Sequence, residues 1–207
     1  MTYLKLIIVA CLCMTATLFS KTTEKNQTIK VALLLDTSSS MDGLIHQAKA
    51  QLWDIINELS YAKYKGNKPR LQIALYEYGN NSLSNTNGYI RRVLRFSNDL
   101  DEISKKLFSL TTNGGNEYCG EAIHTAISEL EWGKDKHDLK MIFIAGNEPF
   151  DQGQKSYKDA ISNAQEHDVI VNTIYCGAYQ DGINGLWQDG AKRGDGDYMI
   201  INHNKKV

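Results

Sequence analysis

Val31-Ala-Leu-Leu-Leu-Asp-Thr-Ser-Ser-Ser40 is the stretch that decides the fold of this 207-residue chain. Its run of apolar residues predicts a short strand buried on both faces, as in a parallel sheet. The strand leads directly into Asp36, with hydroxyls at Ser38 and Ser40. If the chain turns tightly there, these side chains converge as hard oxygen ligands, which suit Mg²⁺, Mn²⁺ or Ca²⁺ better than zinc. The alternative is that Ser38, Ser40 or Asp42 simply caps the following helix.

Apolar strands alternate with amphipathic helices from Ile29 onward. The apolar residues of 44–59 fall within an arc of about 120° on a helical wheel, which predicts a helix packed on one side. Further strands are predicted at 71–78, 91–96, 141–145, 169–175 and 197–201, and further helices at about 99–107, 117–130, 157–165 and 183–192. The short loop before 91–96 favours an antiparallel hairpin with 71–78. The pattern predicts an α/β fold, a doubly wound, mostly parallel six-stranded sheet with one antiparallel edge strand and helices on both faces.

Composition narrows the class of protein. The hydrophobic fraction of 42% and the charged fraction of 23% are typical of a folded soluble protein and argue against disordered or fibrous classes. The net charge is −1 and no basic stripe runs along the chain, which argues against a nucleic-acid partner. The length suits one domain.

Residues 1–20 have the layout of a secretory signal, because Lys5 is followed by an apolar core and then a polar stretch. The apolar run is short of the about 20 residues that span a bilayer, so we expect cleavage and no membrane insertion of the mature domain. The alternative is a lipid anchor at Cys11, where the sequence resembles a bacterial lipoprotein box. We predict a signal peptide at 1–20, a polar linker at 21–28 and one domain over 29–207, exported to the periplasm, the cell surface or the medium.

Leu33-Leu-Leu-Asp-Thr-Ser-Ser-Ser-Met41 resembles the opening of a von Willebrand factor type A domain. In that family an Asp-x-Ser-x-Ser motif forms the metal-ion-dependent adhesion site. The predicted order of strands and helices from about residue 29 to 201 resembles the family as well, including the edge hairpin. The resemblance implies a non-enzymatic protein-binding or adhesion module, in which the metal bridges to an acidic residue of a partner protein.

Two positions depart from the pattern of the family, which completes its metal site with a threonine before a helix and an aspartate after the fourth strand. Glu117 stands where the threonine is expected and is a candidate metal ligand; alternatively, its charge serves the nearby helix N-terminus. Gly146 occupies the place of the aspartate, and Asn147 and Glu148 are candidates to support the metal from the same segment. One carboxylate is lost and one is gained, so the charge around the ion is expected to be conserved.

Removal of residues 1–20 leaves two cysteines, Cys119 and Cys176. The predicted topology puts both at the carboxyl end of the sheet, near the metal. In an exported protein they form either a disulfide that braces the site or two separate buried thiols, and the sequence leaves both possibilities open.

Two other functions compete with the binding module. An aspartate after a first parallel strand also resembles phosphohydrolases of the haloacid dehalogenase type, which makes a Mg²⁺-dependent hydrolase the runner-up. Those enzymes need a second acid two residues later, where this chain has Ser38, and the sequence has no phosphate loop or nucleophile elbow. We therefore expect no enzyme. The third possibility, raised by Gly146, is a scaffold in an envelope assembly that folds without metal.

Overall fold

The computed structural model describes residues 27–201; the predicted signal peptide and Cys11 lie outside this range, and both remain predictions. The strands are β1 (Thr28–Asp36), β2 (Arg70–Tyr78), β3 (Ile90–Ser97), β4 (Leu139–Gly146), β5 (Val169–Cys176) and β6 (Asp195–Ile201). The helices are α1 (Ile45–Ser60), α2 (Leu100–Ser109), α3 (Cys119–Glu129), α4 (Tyr157–Glu166), α5 (Tyr179–Asn184) and α6 (Trp187–Arg193). None of these helices is both long enough and apolar enough to cross a membrane.

The six strands form one sheet in the order β3-β2-β1-β4-β5-β6. Every neighbouring pair is parallel except β2 with β3, which is antiparallel. The predicted fold class is therefore confirmed, including the antiparallel edge strand. The chain adds strands on one side of β1 and then on the other, so the strand order reverses between β1 and β4. Ligands of such sheets bind outside the carboxyl ends of the strands at that reversal, and Asp36 ends β1 there.

Successive residues of β1 contribute to two different cores. Ala32 and Leu34 pack in the core beneath α3, α4 and α6, whereas Val31, Leu33 and Leu35 pack in the core beneath α1 and α2. All five side chains are fully buried. Each buried valine or leucine stabilises the fold by roughly 1.5–3 kcal/mol, which explains why a strand covered on both faces is apolar at every position.

The helix predicted over 183–192 is divided in two. α5 ends at Asn184 and α6 begins at Trp187, with Leu186 between them at φ +68°. This left-handed conformation interrupts the helix, because helical residues require negative φ. The break places the Trp187 ring, which has no exposed surface, in the core beneath the sheet.

Candidate metal centre

The loop after β1 brings Asp36, Ser38 and Ser40 together. The backbone N–H of Ser38 donates a 2.8 Å hydrogen bond to Oδ1 of Asp36. The chain then enters a short 3-10 turn over Ser39–Met41, which returns Ser40 to the side of Ser38. The hydroxyl oxygens of Ser38 and Ser40 are 2.8 Å apart. The tight turn that the alternating hydroxyls require is therefore present.

The interpretation of these residues as helix caps is wrong. α1 begins only at Ile45, and no side-chain hydrogen bond caps its N-terminus. The 3-10 turn that follows Ser38 also has no side-chain cap. Ser40 Oγ donates instead to Asn147 Oδ1 at 2.9 Å, and Asp42 accepts a hydrogen bond from Thr112, which lies in the loop between α2 and α3. The hydroxyls therefore serve no helix N–H group.

Glu117 reaches the same place from the loop before α3. It is 9% exposed, and its carboxylate hydrogen-bonds the side chain of Ser38. Gly79, directly after β2, shows how close Glu117 lies to Asp36. A Cβ atom on Gly79 would be 2.8 Å from Asp36 Oδ1 and 3.0 Å from Glu117 Cγ. No side-chain hydrogen bond caps α3, so Glu117 does not cap this helix, although its charge lies one residue before the N-cap, Tyr118.

Asp36 is buried, and only one of its two carboxylate oxygens accepts a hydrogen bond. The residue is 0% exposed, and its Oδ2 has no hydrogen-bond partner. Burial raises the pKa of Asp36 to about 7; hydrogen bonds from Ser38 oppose this rise, and the charges of Glu117 and Glu148 add to it. Burial also raises the pKa of Glu117, and Glu148 again adds to the rise. No basic group is among the causes of either shift, so nothing cationic compensates these carboxylates.

This donor set fits a hard divalent cation. Two carboxylates and two hydroxyls, from Asp36, Glu117, Ser38 and Ser40, provide the oxygen ligands that Mg²⁺, Mn²⁺ and Ca²⁺ prefer. Within residues 27–201, no three His, Cys, Asp or Glu side chains gather as a metal cluster, so the serine hydroxyls are needed to complete a site. A cation at Asp36 Oδ2 would satisfy a buried oxygen that is otherwise costly to leave without a partner.

Gly146 has no room for the aspartate that the family carries. A Cβ atom there would lie 2.5 Å from the hydroxyl oxygen of Tyr78, 3.0 Å from the Trp187 ring and 3.1 Å from Asp36 Cβ. The Tyr78 hydroxyl is fixed in this position because it donates a 3.0 Å hydrogen bond to the carbonyl of Ala145. The missing aspartate therefore reflects a repacked sheet end, in which two aromatic side chains fill the space of a carboxylate.

Asn147 and Glu148, the two candidates for supporting the metal, both lie at the site. Asn147 accepts the hydroxyl of Ser40 and returns a 3.1 Å hydrogen bond from its Nδ2 to the Ser40 carbonyl. Glu148 is close enough to raise the pKa of Asp36. Its backbone carbonyl accepts a 2.7 Å hydrogen bond from Trp187 Nε1, which ties this loop to the start of α6. The structure thus places Asn147 in direct contact with the loop of residues 36–40, called the metal loop below, whereas Glu148 acts on Asp36 through its charge.

The possible disulfide between Cys119 and Cys176 does not form. Both residues are free, buried thiols. They lie on opposite faces of the sheet, since Cys119 packs beneath α3 and Cys176 packs in the core beneath α1 and α2. Cys119 Sγ is 3.7 Å from the hydroxyl of Tyr78. Burial raises the pKa of both thiols, so neither is a reactive thiolate.

Sequence reasoning missed several residues that hold the site together. Asn80 donates from Nδ2 to the carbonyls of both Thr37 and Thr111, which ties the metal loop to the loop that carries Glu117. Gly79 lies between Asp36 and Glu117 at φ +78°, a conformation that favours glycine. The signal for both was their position directly after a buried strand beside β1.

Gly79→Ala is predicted to abolish metal binding, because its Cβ would enter the space between Asp36 and Glu117. Gly43→Ala is the matched control, since Gly43 has a similar φ of +82° but nothing within 4 Å of its Cβ position. We expect both variants to lose about 1–2 kcal/mol of stability from backbone strain. Calorimetric titration with Mn²⁺ should detect a loss of affinity in Gly79→Ala alone, and wild-type affinity in that variant would contradict the site.

The fold and the loop geometry define a class of protein, a Rossmann-like α/β domain with a cluster of carboxylate and hydroxyl oxygens at the carboxyl end of its first strand. The sequence profile of the von Willebrand factor type A domain matches residues 30–191. The chain belongs to the von Willebrand factor type A domain family. A search of curated protein sequences finds no match.

Solved structures support the fold at low sequence identity. BatB from Bacteroides thetaiotaomicron, described as a conserved hypothetical protein, superposes with a TM-score of 0.63 at 17% identity, covering 84% of this chain and 90% of that one. The VWA domain of SpRpn10 gives 0.61 at 13% identity, with coverages of 87% and 91%. Proximal thread matrix protein 1 from the mussel byssus, with a zinc-occupied metal-ion-dependent adhesion motif, gives 0.62 at 12% identity. The match includes 87% of this chain but only 43% of the mussel protein.

Proposed function

We propose that the chain is a non-enzymatic protein-binding module that holds a divalent cation, Mg²⁺ or else Mn²⁺ or Ca²⁺, at Asp36, Ser38, Ser40 and Glu117. The observation that carries this proposal is Oδ2 of Asp36, a fully buried carboxylate oxygen without a hydrogen-bond partner. Membership of the von Willebrand factor type A family and the metal-occupied motif of the mussel protein support it.

Each of these residues would have a separate role in holding the ion. Asp36 would contribute a carboxylate at the buried end of the site, and the hydrogen bond from the Ser38 N–H fixes the orientation of this side chain. Asn147 holds the Ser40 hydroxyl in place, and Glu117 supplies the second carboxylate from the opposite loop. When bound, the cation would supply an electrophilic coordination position that an acidic residue of a partner protein can fill.

The groups around Asp36 also favour binding over hydrolysis. Ser38, two residues after Asp36, donates its backbone N–H to that carboxylate and carries no acid itself. A phosphohydrolase of the kind considered above would need a second acid where Ser38 stands. This supports the proposal that the chain is not an enzyme.

Metal-dependent binding of a carboxylate tests the proposal. The probe is a short glycine-serine peptide with one central glutamate, followed by amide chemical shifts of the protein in excess Mg²⁺. We expect the glutamate peptide to shift the amides of 36–40 and of the loop before α3, and EDTA to reverse these shifts. A peptide with glutamine in place of glutamate is the matched control and should shift nothing.

Two results would count against the proposed function. If Mg²⁺ alone moved no amide near Asp36, the domain would be a metal-free scaffold that binds through its surface. If the glutamate peptide bound equally well in EDTA, the cation would have no part in recognition.

We also propose that the domain is exported, on the basis of the signal-like pattern of residues 1–20. The mass of the mature protein from its native host would reveal cleavage near residue 20 or a lipid on Cys11. An unprocessed chain would contradict export by this route.

A further inference from the structure

A basic pocket lies beside the metal loop, at the antiparallel edge of the sheet. It is a cavity of about 270 Å³ between the end of β2, the start of β3 and the end of α2. Its walls include Glu77, Asn80, Arg91, Lys106 and Thr111. These residues come from three separate segments, 77–82, 91–93 and 106–111, so the pocket is a product of the fold and not of one local sequence.

The pocket carries a net positive charge. Glu77, its acidic member, is 3% exposed and already neutralised, since its Oε1 pairs with Arg91. The Arg91 side chain is 58% exposed and still presents its charge toward solvent. Lys106 is exposed and has no ion pair within residues 27–201. An anionic group that entered the pocket would therefore meet the unpaired charge of Lys106 and the exposed guanidinium of Arg91, whereas Arg92, the other basic residue of the wall, pairs with Glu129.

The pocket shares a wall with the metal loop. Thr37, which stands between two of the candidate ligands, lies with its Oγ1 3.4 Å from Glu77 Oε2, while Oε1 of the same carboxylate holds Arg91. Asn80 donates to the carbonyls of Thr37 and Thr111, so one side chain joins the loop and the pocket. Thr37, Glu77 and Asn80, which are all buried, therefore connect the metal loop to the pocket.

The charge around the metal loop is asymmetric. Glu148 lies on the β4 side, where it disfavours an acidic partner, whereas Arg91 and Lys106 lie on the β3 side. Opposite charge guides the orientation of a partner as well as its approach. If one acid of a partner segment binds the cation, a second acid of that segment is therefore attracted toward the basic side chains on the β3 side.

We propose that the basic pocket binds a second acidic side chain of the same protein partner whose first acid completes the metal site. The proposal rests on the proposed function and adds the chemistry of the partner, a segment with two acids. In an extended segment, alternate side chains point the same way and stand about 7 Å apart, so a pair of acids separated by one residue is the first spacing to test.

Lys106→Glu tests the pocket, and Lys105→Glu is its matched control. Both lysines are exposed neighbours on α2, but only Lys106 lines the pocket. The probes are a Glu-Gly-Glu peptide and a Glu-Gly-Gln peptide, both acetylated at the N-terminus and amidated at the C-terminus so that they carry two acids and one acid, titrated in excess Mg²⁺ at low salt. We expect Lys106→Glu to weaken binding of the two-acid peptide about tenfold and Lys105→Glu to weaken it much less. Neither substitution should weaken binding of the one-acid peptide by about tenfold.

The outcomes separate this proposal from the function on which it rests. If both variants weakened the two-acid peptide equally, or if the wild type bound both peptides with equal affinity, the pocket would have no specific role and the proposal would be overturned. The metal-dependent binding of the one-acid peptide would survive that result. If neither peptide bound in a metal-dependent way, the proposed function would fail and this inference with it.

Discussion

Asp36→Asn will remove divalent-cation binding from this domain. The amide keeps the shape of the side chain but loses the charge, and Asp36 holds the one ligand atom that is fully buried without a hydrogen-bond partner. Because substitutions even beyond the ligands of a metal site commonly cost 10–100-fold in affinity, we expect a loss of more than about a hundredfold. Calorimetric titration of the wild type and the variant with Mn²⁺ measures it. Equal affinities would show that the ion, if bound, lies elsewhere.

The same variant will change how the stability of the metal-free protein depends on pH. Asp36 has a pKa of about 7 in the fold against an ordinary value of 3.8. Between these values the folded state keeps a proton that the unfolded chain has released, so stability falls as pH rises from about 4 to about 7. A shift of this size corresponds to about 4 kcal/mol.

The asparagine of Asp36→Asn has no such proton to release, so the stability of this variant should not fall between about pH 4 and pH 7. Above about pH 7 the variant should be more stable than the metal-free wild type, although it binds no metal. Urea unfolding in EDTA across this pH range compares the two proteins. Parallel stability curves would mean that Asp36 ionises normally in the fold, which would contradict its raised pKa.

Restoring the usual aspartate of the family, by Gly146→Asp, will damage the fold instead of improving the metal site. The first added atom would already lie 2.5 Å from the hydroxyl oxygen of Tyr78 and 3.0 Å from the Trp187 ring. Overpacking of this kind costs about 1–3 kcal/mol, and the added carboxylate would also face Asp36. We expect a lower urea midpoint and no gain in Mn²⁺ affinity.

A double-mutant cycle tests whether the clash with the Tyr78 hydroxyl causes this loss of stability. Gly146→Ala should itself be destabilising, and Tyr78→Phe should recover part of the loss by removing the closest clashing atom. Additive effects of the two substitutions would contradict the repacked sheet end. A stable Gly146→Asp protein with tighter Mn²⁺ binding would contradict it more directly.

Much of this fold could be predicted from short-range patterns. The apolar run of β1, the helical periodicity of 44–59 and the short loop before β3 report burial and connection length, which determine the sheet order. The metal loop was predictable for a similar reason, because a tight turn after Asp36 leaves its side chain near those of Ser38 and Ser40. Glu117 was found by its place in the pattern of the family.

The remaining features depend on contacts between distant segments. Nothing local indicates that the Tyr78 hydroxyl lies where a side chain at Gly146 would stand. The break at Leu186 requires a positive φ that the apolar pattern does not reveal. Lys49, with a charged side chain on a helix, is 2% exposed because its ammonium group donates to the backbone carbonyls at the end of α2.

The central claim is that Asp36, Ser38, Ser40 and Glu117 hold one divalent cation. A crystal structure of the domain soaked with Mn²⁺, recorded at a wavelength where manganese scatters anomalously, tests it most directly. We predict a single anomalous peak bounded by oxygen atoms of these four side chains. A well-ordered site without such a peak, or a peak that leaves Asp36 Oδ2 without a ligand, would contradict the claim.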